Sequence, residues 1–318
     1  MKNLSKKFAW VLSDGTRGMQ NQSVALAKLL GCDFKIIKYN PSFLLKNFPL
    51  IGKYIPKNFI NINLKDKFLP NYVITTGKRM AGISIALKSC LKDKIKTIHI
   101  QNPRVSRNNF DLLLIPEHDK IFGNNIIKTK GALSFFDGKK LLKNNKLSSK
   151  KITIFLMVGG NNKRYSLNYI DYYDLSMSIV KATKLIKGKL IVASSRRTTK
   201  EAINVMQYVF KKNLTDFKFY SSNDINPYPD ILKYSDFIIV TSDSVNMISE
   251  TATIQAPLFV YYFPKETGKI LGFLDNLVDL GIIKKFDGRL FKYKKSLLDT
   301  NSQTILKINK FFGSKYIS

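Results

Sequence analysis

Residues Ser235–Pro264 read SDFIIVTSDSVNMISETATIQAPLFVYYFP. Two short apolar runs, Phe237–Val240 and Leu258–Tyr262, flank Ser244–Ile254, whose apolar residues recur at helical spacing. Buried strand, helix and second buried strand in so short a span make one β-α-β crossover, the unit from which parallel sheets are built. Between the first strand and the helix stand Thr241, Ser242, Asp243 and Ser244. Hydroxyls at that place cap the helix, and its free backbone N–H groups suit a phosphate. Glu250 falls about two turns along, where a carboxylate can accept both hydroxyls of a ribose. A plainer reading makes Ser242 and Asp243 a cap and a surface acid.

The same grammar extends in both directions. Ile152–Val158, Leu190–Ala193 and Phe217–Tyr220 read as further strands of the second half, with a helix over Thr199–Lys211. In the first half, Phe8–Leu12, Phe34–Tyr39, Tyr72–Thr75, Thr97–Ile100 and Asp111–Ile115 read as strands, with helices over Met19–Leu30 and Lys78–Leu91. Continuous apolar strands alternating with helices predict parallel sheets covered on both faces. A chain of 318 residues is long enough for two such domains. We place them at 1–145 and 146–318, with lysine-rich Lys139–Lys151 as the linker and the C-terminal helices able to pack back on the first domain. No strand is followed by Gly-x-Gly-x-x-Gly, so a nicotinamide fold is not indicated. The expected class is α/β: two Rossmann-like domains facing across a cleft, as in the GT-B architecture.

Composition narrows the function. Lys and Arg number 53 against 22 Asp and Glu, a net charge of +31. Such a balance favours phosphates, acidic headgroups or nucleic acid. The basic residues are spread along the chain without a recognisable nucleic-acid motif, which puts nucleic acid last. Cys32 and Cys90 are isolated, so neither a disulfide framework nor a metal site is expected, and a reduced cytosolic setting fits. The apolar stretch behind the basic N-terminus is too short for a signal peptide, and no apolar run is long enough for a membrane span.

Ligands of doubly wound sheets bind outside the carboxyl ends of the strands, which singles out the loops there. After the first strand come Asp14, Gly15, Arg17, Gln20 and Gln22. A carboxylate at a strand tip suits a general base, and Asp14 equally suits the cap of the next helix. After the fourth strand, Arg104 can hold a phosphate or pair with a surface acid. After the fifth come Glu117 and His118, a competing base pair or a structural turn. In the second half, Gly159, Gly160, Lys163 and Arg164 follow one strand, and Ser195, Arg196 and Arg197 follow the next. Glycines, hydroxyls and cations at neighbouring strand ends suit a diphosphate.

These blocks together resemble the "elongated mitochondria" family of mitochondrial-fission proteins. The matching pieces are SDGTRGMQNQ (13–22), TGKRMAG (76–82), QNPR (101–104), FDLLLIPEHD (110–119), VGG (158–160), SSRRTT (194–199), NPYPDIL (226–232) and VTSDSVNMISE (240–250). The resemblance implies a two-domain nucleotide-sugar fold. Plant members are adaptors on the mitochondrial surface, and bacterial members carry only loose labels as nucleotide-sugar enzymes. Residues 235–264 also look like the donor block of the peptidoglycan N-acetylglucosaminyltransferase. That likeness implies a ribose role for Glu250 and places Ser242, Asp243 and Ser244 near the diphosphate. It departs where Thr-Ser-Asp-Ser replaces Arg-Ala-Gly, since an acid at 243 repels a diphosphate unless it faces away.

The functional expectation is a metal- and cofactor-independent glycosyltransferase with a nucleotide-sugar donor, Asp14 as base, and Lys163, Arg164, Arg196 and Arg197 on the leaving diphosphate. The acceptor expected is a lipid-linked or lipopolysaccharide-type glycan of the cell envelope, at the cytoplasmic face of the inner membrane. A non-catalytic membrane-surface adaptor and a nucleotide-sugar epimerase are the alternatives. Pro41–Lys57 interleaves bulky apolar residues with lysines, so Phe43, Leu44 and Phe48 are expected to dock on anionic lipid. The alternative is that they fold back on the domain.

Overall fold

A computed structural model describes residues 7–64, 69–134, 151–162, 164–222, 224, 228–264 and 268–313. It divides into two compact units, Met1–Phe135 with Asp299–Ser318, and Phe136–Leu298. The anticipated boundary at 145/146, and the linker apart from Lys151, lie outside the described residues.

The first unit is built on β1 (Phe8–Ser13), β2 (Asp33–Lys38), β3 (Tyr72–Thr76), β4 (Lys96–Ile100), β5 (Leu112–Pro116) and β6 (Ile126–Thr129). All pair in parallel, in the order β2-β1-β3-β4-β5-β6. Among the described residues the α-helices between them are α1 (Arg17–Leu29), α2 (Phe43–Asn47) and α3 (Lys78–Leu91). The strands are apolar on both sides because each face has its own core. Along β1, Ala9 and Val11 join a cluster with Leu26 and Leu30 around α1. Trp10 and Leu12 point the other way, into a cluster with Met80, Ile83 and Leu87 of α3. This alternation follows from the two-residue period of a strand.

The second unit contains β7 (Thr153–Val158), β8 (Lys189–Ser194), β9 (Phe217–Tyr220), β10 (Phe237–Thr241), β11 (Leu258–Tyr261) and β12 (Lys284–Lys285). These too are parallel, in the order β12-β11-β10-β7-β8-β9. Its helices are α4 (Tyr169–Leu185), α5 (Lys200–Asn213), α6 (Tyr228–Tyr234), α7 (Val245–Ala252) and α8 (Gly268–Asp279). Asn168 and Asp171 close a reciprocal cap on α4, and the Thr199 side chain accepts from Ala202 N at the start of α5. The last helix, α9 (Thr300–Phe312), belongs to the first unit. Asn301 there exchanges two hydrogen bonds with the Ser134 backbone, at 3.1 and 2.8 Å, and Ile308 is buried in the α1-side core.

Each sheet has one place where successive crossovers depart in opposite directions. In the first unit it lies between β1 and β3; in the second, between β7 and β10. Loops leaving neighbouring strand ends there part to opposite faces, opening the crevice in which such folds bind ligands.

Every strand expected from the apolar runs is present, with ends within about two residues of those expected. The additional strands β6 and β12 are short edges: β12 is Lys284-Lys285, with no apolar pattern to announce it.

Candidate functional site

The loops after β7, β8 and β10 meet at the second switch point. Register aligns them, since Met157 sits opposite Val240 on one side and Val158 opposite Ser194 on the other. At their centre is Asp243, whose side chain is fully buried. One carboxylate oxygen accepts from Gly160 N at 2.9 Å and from the Arg197 guanidinium at 2.7 Å; the other accepts from Thr241 Oγ1 at 2.7 Å. Arg197 also donates to Gly160 O at 2.7 Å. Burial raises the Asp243 carboxyl above its ordinary range, against the pull of Arg197, Thr241 and the Gly160 amide. The acid at 243 therefore faces into the protein, with a cation of its own.

That geometry changes the reading of the two glycines. A Cβ on Gly159 would lie 2.0 Å from Asp243 Oδ2, and one on Gly160 would lie 2.1 Å from Arg197 O. Their amides donate to Thr241 Oγ1 and Asp243 Oδ2. Gly159 and Gly160 thus accommodate the buried ion pair, and the amides expected to meet a diphosphate are engaged within the loop. Arg197 is likewise committed to Asp243, while Arg196 and Arg164 are exposed. Lys163 lies outside the described residues. Ser195 N donates to Thr198 Oγ1 at 3.0 Å, and its hydroxyl accepts from Arg197 N at 3.2 Å, so Ser195 shapes the turn that carries both arginines. Ser242 is buried and accepts from Phe263 N at 3.2 Å, tying this loop to the end of β11.

Ser244 caps α7, accepting from Met247 N, and the first turn of that helix has no acid. Its positive N-terminal pole therefore stands at the switch point beside the Asp243–Arg197 pair. The C-terminal end is clamped by Lys295, a buried ammonium donating to the carbonyls of Thr251, Ile254 and Ala256 at 3.1, 2.6 and 3.1 Å. Burial pushes the Lys295 pKa down to about 7. On this fixed helix sits half-buried Glu250, whose Oε2 accepts from the Tyr228 hydroxyl at 2.9 Å. Burial pushes the Glu250 carboxyl up to about 7, although the Tyr228 bond works the other way. Burial, and then the carboxylate beside it, push the Tyr228 phenol well above its ordinary range.

The first unit carries a second charged pair at its own switch point. Asp14 Oδ1 accepts from Thr16 N at 3.0 Å, and Oδ2 from Arg79, at the start of α3, at 3.3 Å. Burial acts to raise its pKa, but the Thr16 and Arg79 interactions outweigh it and the net shift is downward. Asp14 is thus both turn-former and ionised carboxylate. Gly15, with φ +85°, and Arg17 are exposed, Gln20 is half-buried, and Gln22 is buried one turn deeper. Arg104 is exposed, in a left-handed conformation (φ 62°), its amide held by Asn102 Oδ1 at 2.8 Å. Glu117, exposed, and His118, half-buried, follow β5. Three strand spacings put that end about 14 Å from the β1 end along the sheet, so the two candidate bases occupy separate stations.

Three partners of the candidate site residues and of α7 were not anticipated. Tyr228 stands in the quoted NPYPD block but 22 residues before Glu250, and Arg79 is 65 residues from Asp14; no periodicity joins either pair. Lys295 lies in a polar stretch that reads as surface. A further buried polar feature is His99 on β4. It is fully buried, with Nδ1 2.7 Å from Thr75 Oγ1, and burial pushes its pKa down to about 3, so it stays neutral.

Two doubly wound parallel sheets, each with a charged pair at its switch point, define a two-unit α/β protein of the GT-B-like class. The chain belongs to the mitochondrial fission ELM1 family, whose model matches residues 17–307. It is 29% identical to an uncharacterised protein of Rickettsia prowazekii, over 87% of this chain and 90% of that one. It is 25% identical to the mitochondrial fission protein ELM1 of Arabidopsis thaliana, over 69% of this chain and 58% of the plant protein. Among solved structures, the UDP-GlcNAc 2-epimerase of Methanocaldococcus jannaschii superposes with a TM-score of 0.54 at 16% identity, covering 96% of this chain and 99% of that one. The S. aureus MnaA–UDP co-structure superposes at 0.53 and 14%, covering 98% and 90%.

Proposed function

We propose that the second switch point binds the nucleotide of a nucleotide sugar and that the chain is a glycosyltransferase. The observation that carries this reading is the Glu250–Tyr228 pair on a helix whose N-terminus, capped by Ser244 and without an acid in its first turn, lies at the switch point. A diphosphate at the α7 N-terminus is met by backbone donors and by Arg196 and Arg164 from the flanking loops. One or two helical turns on, the Glu250 carboxylate accepts the ribose hydroxyls. The solved neighbours named for UDP and UDP-GlcNAc make UDP the first nucleotide to test.

In the transfer step, an acceptor oxygen bonds to the anomeric carbon while the bond to the diphosphate breaks. The acceptor proton passes to a carboxylate, for which Asp14 is the candidate. The acceptor assigned by this reading is a lipid-linked or lipopolysaccharide-type glycan at the inner face of a membrane.

A thermal-shift panel of uridine, guanosine, adenosine and cytidine diphosphates tests the donor site. At least one should stabilise the parent protein, and none doing so would defeat the proposal. Glu250→Ala should weaken the responding nucleotide by about 1–3 kcal/mol, the scale of losing hydrogen bonds to a charged group. Unchanged affinity removes Glu250 from the ribose role. Sugar transfer to acceptor identifies a transferase, interconversion of the free nucleotide sugar an epimerase, and nucleotide binding without turnover an adaptor.

A further inference from the structure

Between β2 and β3 the chain lies over α3. Leu45, Pro49, Gly52 and Ile60 are buried beneath it. Gly52 approaches Gly82 of α3 so closely that a Cβ at 52 would sit 2.3 Å from Gly82 O, and one at 82 would sit 2.6 Å from Leu45 O. Ser89 Oγ donates to Lys53 O at 2.9 Å, and Cys90 Sγ to Ile55 O at 3.4 Å. The segment is thus fastened to the helix along its length. Part of it folds back on the domain, as the plainer sequence reading has it.

What it leaves outside is the informative part. Phe43, Leu44, Phe48, Leu50, Tyr54 and Phe59 are 46–82% exposed, all within one short stretch. Single exposed apolar residues are ordinary, but a concentrated patch on a fixed platform marks a contact surface. Lys46, Lys53 and Lys57 are interleaved with them, and Pro41–Leu64 contains no Asp or Glu. Every charge in this stretch has one sign and stands within a few residues of a large apolar side chain. That pairing matches the boundary between lipid phosphates and hydrocarbon, where side chains enter and ammonium groups stay at headgroup level.

We infer that residues 43–59 form a docking platform for an anionic lipid surface. The exposed rings and branched chains enter the headgroup–acyl boundary, and the lysines meet the lipid phosphates. The chain's +31 charge adds long-range attraction that salt screens. The platform belongs to the first unit alone and does not depend on which reaction the protein catalyses.

The test is co-sedimentation of the full chain with vesicles of phosphatidylcholine alone or mixed with phosphatidylglycerol. Binding is expected to the mixed vesicles only, and to weaken as salt rises. Phe43→Ser/Leu44→Ser/Phe48→Ser should bind at least ~10-fold more weakly, from loss of apolar burial, with its melting temperature retained because these side chains are exposed. If the triple variant fails to fold, Phe43→Ser and Tyr54→Ser separately carry the same comparison. Absent binding, equal binding to neutral vesicles, or undiminished binding by the folded variant overturns the inference. So does a dimer of the parent that the substitutions disperse without vesicle binding, which would make the patch a contact between copies.

Discussion

Arg197→Met should lower the stability of the second unit by about 3–5 kcal/mol, the cost of stranding a buried charge without its partner. The Asp243 side chain left behind is fully enclosed, and its two remaining donors, Gly160 N and Thr241 Oγ1, are neutral. Gly160 O loses its guanidinium donor as well. At roughly 2–4 °C per kcal/mol for a unit of this size, the melting temperature should fall by about 10 °C. The pH dependence separates this mechanism from a simple loss of packing. Burial already raises the Asp243 pKa, and removing Arg197 raises it further. A carboxyl with a raised folded-state pKa takes up a proton on folding, so its penalty is absent below the unfolded-state value and grows as pH rises through the folded-state value. The deficit between parent and variant should therefore narrow in acid. Adding Asp243→Asn should restore part of the loss, since no charge is then stranded. A pH-independent deficit, or no recovery in the double variant, would show that Arg197 acts through packing alone.

Asp14→Asn should cut glycosyl transfer at least ~100-fold while leaving nucleotide affinity and stability close to the parent's. Asparagine keeps an oxygen for the Thr16 amide, so the turn survives. The Arg79 pair that it loses is exposed on the arginine side and contributes little to stability. What disappears is the ionised carboxylate at the first switch point. Near-normal turnover in Asp14→Asn, with Glu117→Gln or His118→Asn inactive, would move the base to the β5 end.

Strands such as Thr153–Val158 and Phe237–Thr241 were legible because both faces of a parallel sheet are covered, which makes each strand a continuous apolar run. Helix α4 was not anticipated: its apolar residues extend well beyond one face, with Tyr169, Ile170 and Tyr173 exposed, so no clean stripe marks it. At the candidate site, reading strand ends picked out loops that the fold brings to the two switch points, because topology carries them there. It could not assign roles within them. The Val158-Gly159-Gly160 turn reads as a phosphate cradle, yet the missing Cβ atoms make room for Asp243 and the Arg197 backbone, which arrive from other strands. The same holds for Glu250, whose character depends on a tyrosine brought from α6 by the fold.

Nucleotide binding at the second switch point through Glu250 has a direct calorimetric signature. Burial pushes the Glu250 carboxyl up to about 7, well above the ordinary carboxylate range, so near neutral pH the free protein holds a substantial share of it protonated. Ribose hydroxyls donate to the ionised form and favour it, so binding should release protons. Titrating UDP into the full chain near pH 6.5, in two buffers of different ionisation enthalpy, measures that release. Net release of a fraction of a proton per site is expected, with affinity that rises with pH through about 7, and the part of both effects that Glu250 supplies should be lost in Glu250→Gln. UDP binding with no proton exchange, or with the same exchange in Glu250→Gln, would contradict it.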